Sequence, residues 1–239
     1  MNIALLGYGR MGRTIEKLAT GKGHKVTVKI SSTNAEALTP GLLTGEDVDV
    51  AIDFSLPTTA LKNISTCFLA GIPVVSGTTA WLQDWDQAIA NMKESDGSFL
   101  YASNFSVGVN LFFALNEKLA QLMNNRPEYT PNIHEVHHTG KLDAPSGTAI
   151  TLGKGLVKNM ERLTQWSDAE PDESTLLISS ERIDPAPGTH HVKYTSPIDD
   201  IELIHTAKSR DGFALGAILA AEYLQGKKGL HTMADVLKL

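Results

Sequence analysis

Cysteine is almost missing from this 239-residue chain, and the single Cys67 rules out an internal disulfide. Its neighbours Ile64, Phe68 and Leu69 read as one apolar helix face, so Cys67 is expected to be a core thiol and not a nucleophile. Long apolar runs are missing too: nothing approaches the roughly 20 residues of a membrane-spanning helix. The first residues run straight into the strand-like Asn2-Ile3-Ala4-Leu5-Leu6, with no basic region, apolar stretch and cleavage site ahead of them. A secretory leader is therefore not expected, and the predicted location is cytoplasmic. Positive charge is in short supply: 21 Lys and Arg face 27 Asp and Glu, a net charge of -6, and no basic tract gathers. That excludes a nucleic-acid binder of the usual basic kind, and no membrane partner is expected either. Internal repeats and low-complexity segments are absent.

Hydrophobic residues make up 42% of the chain, enough for a sizeable core, and the length suits one large domain or two modest ones. The first hundred residues alternate strand and helix patterns. Ile3–Leu6 is a short apolar run bounded by Gly7. Residues Arg13–Leu18 read as a helix, with Met11, Ile15, Leu18 and Ala19 near helical spacing, stopped by Gly21 and Gly23. Lys25–Ile30, Val48–Phe54, Pro73–Ser76 and Phe99–Ala102 read as further strands, with a helix after Pro57. Such alternation predicts a parallel sheet covered on both faces. After residue 105 the pattern changes. Val109–Met123 and Ala149–Leu163 read as helices, and Ile133–Val136 as a strand. Leu176–Arg182, His190–Thr195 and Ile201–Ala207 read as strands without intervening helices, which usually pair antiparallel. Residues 164–174, polar and acidic, predict an exposed loop, and Phe213–Gln225 returns to helix.

Gly7-Tyr8-Gly9-Arg10-Met11-Gly12 fits G-x-G-x-x-G at the first strand-to-helix turn. In that context the first glycine turns the chain, the second admits a pyrophosphate, and the third lets helix pack on strand. The helix N-terminus offers N–H groups and a positive dipole end. The acidic residue expected about 20 positions on, which would hold a ribose 2′-hydroxyl, is missing. The second strand ends instead at Ile30-Ser31-Ser32-Thr33, with Lys29 and Arg10 as nearby cations. Ser31 and Ser32 lean toward NADPH without excluding NADH, although a plain polar loop fits the same residues.

The densest chemistry lies in His134-Glu135-Val136-His137-His138-Thr139-Gly140-Lys141-Leu142-Asp143-Ala144-Pro145-Ser146-Gly147-Thr148. It formally contains H-E-x-x-H, but that zinc motif needs a helix, and Pro131, Gly140 and Pro145 with Ile133 and Val136 indicate a strand and loop. No metal is expected. A solvated loop with incidental histidines is the bland alternative. The catalytic reading explains more: histidine exchanges protons near neutral pH, and lysine attracts carboxylates and can give a proton. Ser146 is a natural N-cap, and the N–H groups of Gly147 and Thr148 would cradle an anion.

These residues resemble the 4-hydroxy-tetrahydrodipicolinate reductase (dihydrodipicolinate reductase) family. The best match is His137-His138-x-x-Lys141-x-Asp143-Ala144-Pro145-Ser146-Gly147-Thr148-Ala149. Gly7–Arg13, Asp53-Phe54-Ser55 with Pro57, Gly77-Thr78-Thr79, Asn104–Asn110, and Ser209-Arg210 with Phe213, Ala214 and Gly216-Ala217 match in the same order. The resemblance implies an α/β fold: a Rossmann-like doubly wound parallel sheet with a second α+β domain on a mixed or antiparallel sheet. It implies a dinucleotide-binding domain at 1–105 plus 212–239 and a substrate-binding, oligomerising domain at 106–211, assembled as a homotetramer. His137 would be the proton donor or acceptor and Lys141 a proton donor. His138, Gly147 and Thr148 would bind a carboxylate of a small cyclic dicarboxylate. Gly77, Thr78 and Thr79, with Ala102, Ser103, Asn104 and Phe105, would line the nicotinamide side of NADPH or NADH.

The chain departs from the family in places. Its glycine loop is compact, Ala80 replaces a frequent glycine after Thr79, the acidic and basic pair after the second strand is absent, and Asp184–His190 is short. An NAD(P)-sensing module and a dehydrogenase for a linear semialdehyde are the competing classes. Dipicolinate, a planar mimic of the ring, separates them. Under the reductase reading, a hundredfold excess over Kd raises the melting temperature by roughly 5–10 °C, and under the others thermal unfolding is unmoved.

Overall fold

The apolar run that opens the chain forms β1 (Asn2–Leu6), an inner strand of a six-stranded sheet. In this computed structural model, which describes residues 1–169, 172–209 and 211–239, the chain divides into two units. One contains Met1–Val107 with Asp211–Leu239, the other Gly108–Arg210. Glu170 and Pro171 of the predicted loop, and Arg210 of the family-like motif, lie outside the described residues.

In the first unit β1 pairs with β2 (Lys25–Ile30) and β3 (Val50–Asp53). The sheet continues through β4 (Val74–Ser76) and β5 (Ser98–Tyr101) to β11 (Gly229–His231), in the order β11-β5-β4-β3-β1-β2. Every pairing is parallel, so each connection must cross a face of the sheet, and helices bury both faces. Side chains alternate accordingly. Ala4 and Leu6 pack with α3 (Pro57–Leu69) and α4 (Trp85–Glu94), beside the short α2 (Pro40–Gly45). Ile3 and Leu5 pack with α1 (Arg10–Gly21), α7 (Asp211–Leu224) and α8 (Met233–Leu237). Cys67 is buried in the α3 layer. Leu69, expected on the same face, is 74% exposed, because a helical step of one residue turns it about 100° away from Phe68.

Helix α7 approaches the sheet closely because its inner face is built from Ala214, Gly216, Ala217, Ala220 and Ala221. A Cβ at Gly216 would lie 1.7 Å from the carbonyl oxygen of Phe105.

The second unit has a mixed sheet in the order β10-β9-β6-β8-β7. Its strands are β6 (Thr130–His137), β7 (Gln165–Ser167), β8 (Thr175–Arg182), β9 (Thr189–Thr195) and β10 (Asp200–Thr206). Helices α5 (Val107–Met123) and α6 (Gly147–Asn159) give Phe112, Ala120, Leu152 and Leu156 to one core with Ile133, Leu176, Ile178, Val192 and Tyr194. Two expectations are corrected. First, the strands after residue 175 do not all pair antiparallel: β8 runs parallel to β6, because α6 lies between them in the chain and supplies a crossover. Second, the polar segment 164–174 is not wholly a loop. Gln165–Ser167 forms edge strand β7 parallel to β8, and Trp166 packs against the core. On α5, Leu111, Leu115 and Leu122 face outward, while Phe112 and Ala120 carry the packing.

Gly216→Ala is expected to lower unfolding stability by about 1–3 kcal/mol in urea titrations, since α7 has to move off the Phe105 backbone. Gly41→Ala in α2, where a Cβ meets nothing within 4 Å, is expected to be neutral or stabilising by up to about 1 kcal/mol.

Candidate active site

In the first unit the strand order reverses direction between β1 and β3, and the loops leaving their C-terminal ends frame a crevice. Gly7 has φ +96°, and a Cβ there would lie 2.0 Å from the Phe54 carbonyl oxygen. The N–H groups of Gly7 and Tyr8 donate to the Ile30 carbonyl at 2.9 and 2.8 Å, which locks the turn onto β2. A Cβ at Gly12 would come 2.5 Å from the Gly7 carbonyl oxygen, whereas one at Gly9 meets nothing within 4 Å. One glycine therefore turns the chain, one packs the helix, and the middle one leaves space where a diphosphate would approach. Gly9 is the N-cap of α1 and makes no side-chain cap bond, so the first-turn N–H groups face that space. A cavity of about 270 Å³ lies here, lined by Gly7, Tyr8, Gly9, Ser31, Ser32 and Ser55 among others. Arg10 is exposed and Met11 is half-buried in the core layer.

The end of β2 is more ordered than its composition suggests. Ser31 N–H and Oγ both donate to Asn34 Oδ1, at 2.7 and 3.0 Å, and Ser31 Oγ lies 2.8 Å from Thr33 Oγ1. Lys29 is not a spare cation. Its Nζ lies 2.5 Å from Glu16 Oε1 and over the Tyr8 ring, and the Tyr8 hydroxyl donates to the same carboxylate. The hydrogen bond to Lys29 holds the Glu16 carboxyl below its ordinary range, and the same bond raises Lys29.

Below the crevice, buried Asp53 joins β4, the loop after it and α3. Its Oδ2 accepts from Ser76 Oγ at 2.9 Å and Thr78 Oγ1 at 2.6 Å, and its Oδ1 accepts from Asn63 at 3.1 Å. Burial raises its pKa despite those donors. Thr78 Oγ1 also accepts from Ser55 N–H at 2.8 Å. Thr78 and Phe105 are thus core side chains, and only their backbones can meet a ligand. At Gly77 a Cβ would lie 2.2 Å from the Phe54 ring and displace it from its tilted contact with Phe105, 5.7 Å between centroids. Thr79 and Ser103 are exposed, Ala102 is half-buried, and Asn104 Oδ1 accepts from Ser106 N–H at 2.9 Å.

In the second unit, β6 alternates so that Ile133, Glu135 and His137 face inward while His134 faces the other way. His134 and His138 therefore do not share the helix face that H-E-x-x-H demands. Ser146 caps α6, its Oγ accepting from Ala149 N–H at 3.2 Å. That leaves the N–H groups of Gly147 and Thr148 as the donors of the first turn, and a Cβ at Gly147 would meet only open space. Lys141 Nζ donates to both Asp143 oxygens at 2.7 Å, which lowers the Asp143 pKa, and His138 is half-buried beside Gly140.

Sequence reasoning missed what lies behind His137. Glu135 is fully buried, and its Oε1 accepts from Ser146 N–H at 3.0 Å, Ser180 Oγ at 2.9 Å and Arg182 at 3.1 Å. Its Oε2 lies 3.5 Å from both His137 Nδ1 and His190 Nε2. Burial opposes ionisation, but the neighbouring His190 first, then the Ser146 and Ser180 donors, outweigh it and hold Glu135 well below the usual carboxylate range. Arg182 also donates to the carbonyls of Lys141 and Asp143, at 3.3 and 2.6 Å, and so ties that loop to Glu135. Among the described residues, Glu135, His137 and His190 alone bring three metal-ligand atoms within 4.8 Å of one another. The cation that meets this carboxylate is Arg182, so the cluster reads as an ion-pair network. For His137, burial is the largest influence, and His190, Lys141 and Arg182 act with it. Together they outweigh Glu135 and lower the pKa to about 4.

A parallel sheet with a glycine turn at its switch point, followed by a mixed-sheet unit carrying histidine, lysine and a helix N-terminus, defines a two-part, nucleotide-dependent oxidoreductase. The models for dihydrodipicolinate reductase match residues 1–105 (N-terminus) and 108–237 (C-terminus), and the chain belongs to that family. It is 52% identical over 237 residues to 4-hydroxy-tetrahydrodipicolinate reductase of Christiangramia forsetii, covering 99% of this chain and 98% of the relative. It is 33% identical to the enzyme of the same name from Neisseria meningitidis serogroup B, covering 100% and 98%. Dipicolinate-bound dihydrodipicolinate reductase from Paenisporosarcina sp. TG-14 has the same fold, with a TM-score of 0.78 at 19% identity over 98% of each chain. The C-terminal match runs on through α7, which packs in the first unit.

A histidine held down to about 4 remains neutral when folded between roughly pH 4 and 6.5, while the unfolded chain takes up a proton there. The His137 contribution therefore makes stability fall as pH drops through that window. Histidine NMR is expected to place its midpoint near 4, and His137→Asn is expected to flatten the acid side of the stability profile.

Proposed function

We propose that this chain reduces 4-hydroxy-tetrahydrodipicolinate to tetrahydrodipicolinate with NAD(P)H, on the diaminopimelate route to lysine. The observation that carries this reading is the His137, His138 and Lys141 group ahead of the α6 N-terminus. One short segment offers a proton carrier, a cation and an anion cradle to a cyclic dicarboxylate. The cofactor fits the first unit on the glycine geometry: open space at Gly9 and α1 N–H groups facing it. We assign residues 1–105 and 212–239 to the cofactor and 106–211 to substrate and homotetramer formation in the cytoplasm. Among the described residues no helix is long and apolar enough to cross a membrane.

The bound nicotinamide supplies a hydride, and the remaining work falls to the chain. Dihydrodipicolinate, one hydride and one proton give tetrahydrodipicolinate; starting from the hydroxylated compound, one water also leaves. Hydride addition to the conjugated imine leaves an electron pair on nitrogen or the adjacent carbon. Lys141 and His137 stabilise that charge and deliver the proton, while the N–H groups of Gly147 and Thr148, with His138, bind carboxylate. His137 is neutral in the free protein, so it takes up its proton as the dianionic ligand arrives, beside Lys141, which exchanges Asp143 for the ligand carboxylate.

NADPH is favoured over NADH because no carboxylate stands at the end of β2 to repel a 2′-phosphate. Lys29 is held by Glu16, so Arg10 is the cation to serve it. The test is oxidation of each cofactor at 340 nm, with substrate generated from pyruvate and aspartate semialdehyde. Substrate-dependent oxidation is expected with both, faster with NADPH, and Arg10→Ala narrows the ratio. Lys141→Ala and His137→Ala are expected to cut turnover by about 10²–10⁴ while NADPH binding survives. Loss of cofactor affinity in either variant would show that the assignment of roles to the two units is wrong.

A further inference from the structure

We propose that Glu135 is a positioning residue for proton transfer, its clamped carboxylate holding His137 by Nδ1 so that Nε2 is presented to the substrate. This rests on the reading of His137 given above.

A fully buried carboxylate needs partners, and Oε1 has three that fix it: Ser146 N–H, Ser180 Oγ and Arg182. Those bonds suffice for a purely structural task, anchoring the α6 cap and the Lys141 loop. They leave Oε2 over. It is buried, has no partner in hydrogen-bond geometry, and lies 3.5 Å from His137 Nδ1, which is likewise buried and unpartnered. Catalytic hydrogen bonds are often this loose before ligand binds. The other flank of Oε2 is His190 Nε2, itself 3.1 Å from Ser146 Oγ, with the two imidazole rings 5.0 Å apart and edge-on. On the opposite edge of the His137 ring stands Gly188, with φ +143°, its carbonyl accepting from Ala207 N–H at 2.9 Å. A Cβ there would come 3.0 Å from Nε2, so glycine keeps that edge clear. The ring is thus backed by a fixed anion at Nδ1, and at Nε2 the missing Gly188 side chain leaves the space a ligand atom would need.

The charged and titratable groups facing His137 are Glu135 on its own strand, Arg182 on β8, His190 on β9 and Lys141 in the loop. Glu135 is the one that favours the imidazolium, the state from which the proton leaves Nε2. The N–H tautomer at Nδ1 lets Nε2 accept that proton first.

The tautomer is read directly in the unmodified protein by nitrogen-15 NMR of labelled histidine. His137 carrying its proton on Nδ1 is the expected result, and a proton resting on Nε2 overturns the proposal. Kinetics give the second measurement. Glu135→Gln is expected to lower kcat about 10²-fold at pH 8 with KM within about threefold. Its alkaline limb moves to lower pH, so that activity partly recovers on acidification, while Glu135→Asp keeps the limb near its original place. If His137→Ala is impaired but folded Glu135→Gln turns over like the original with the same pH profile, the positioning role is wrong and the role of His137 stands. If His137→Ala is itself fully active, the reading of the site falls, and the positioning role falls with it.

Discussion

Removing a carboxylate from water costs several kcal/mol unless donors replace the lost hydration, and the second unit is arranged around meeting that demand at Glu135. The donors come from the α6 cap through Ser146 and from β8 through Ser180 and Arg182, and β9 brings the His190 ring to 3.5 Å. Because Arg182 also grips the carbonyls of Lys141 and Asp143, the loop bearing the lysine is fixed by the same network. The strand that carries His137, the helix end that offers N–H groups and the lysine loop are thereby held in one register within this unit. Removing one partner would leave a buried charge behind, so the network holds or fails as a whole.

The first unit repeats the device with Asp53. Three donors from β4, its loop and α3 converge on a buried carboxyl and set the Gly77 turn against Phe54. The outcomes differ because the donors differ. Glu135 has His190 beside it, with Ser146 and Ser180 as donors, and these hold it ionised, whereas Asp53 has only neutral hydroxyl and amide donors, and its pKa rises with burial. One carboxyl is kept as a fixed anion beside a proton carrier; the other serves as a knot between loops.

Much of the fold was legible in local pattern. The β1–α1–β2 unit, the apolar strands β3 to β5 and the glycine turn follow from period and spacing, and Ser146 is a cap as its side chain predicts. Most of the elements that escaped notice are short or polar. α2 has six residues, α8 five, and β7 and β11 three each, and β7 gains its place from ladder bonds that composition cannot announce; the ten-residue α4 was missed although it is neither short nor wholly polar. The parallel pairing of β6 with β8 was misjudged because the strands were read as neighbours in sequence, while α6 carries the chain across between them. In the site, the residues of one contiguous segment were found and their distant supports were not. Arg182 and His190 come 45 or more residues after His137, too far for any local signal. Glu135 was in plain view but was read inside a zinc motif; alternation along Ile133, Glu135 and His137 was the clue to their shared inward face. Lys29 shows the converse error, a cation counted as available that Glu16 already holds.

The remaining step concerns charge. A chain of net charge -6 does not attract a dicarboxylate at long range, so recognition has to come from a local field. That field is built from Lys141, Arg182 and the α6 N-terminus, and its cost is visible at His137, whose protonated form those same cations oppose. Left alone, they would keep the His137 imidazolium scarce at neutral pH. A bound dianion cancels them, and Glu135 then remains as the nearest fixed charge on the ring. The histidine can thus acquire its proton when a ligand of the right charge is present and stays neutral otherwise. On the proposed reading, proton delivery is coupled to carboxylate recognition through the charges around His137.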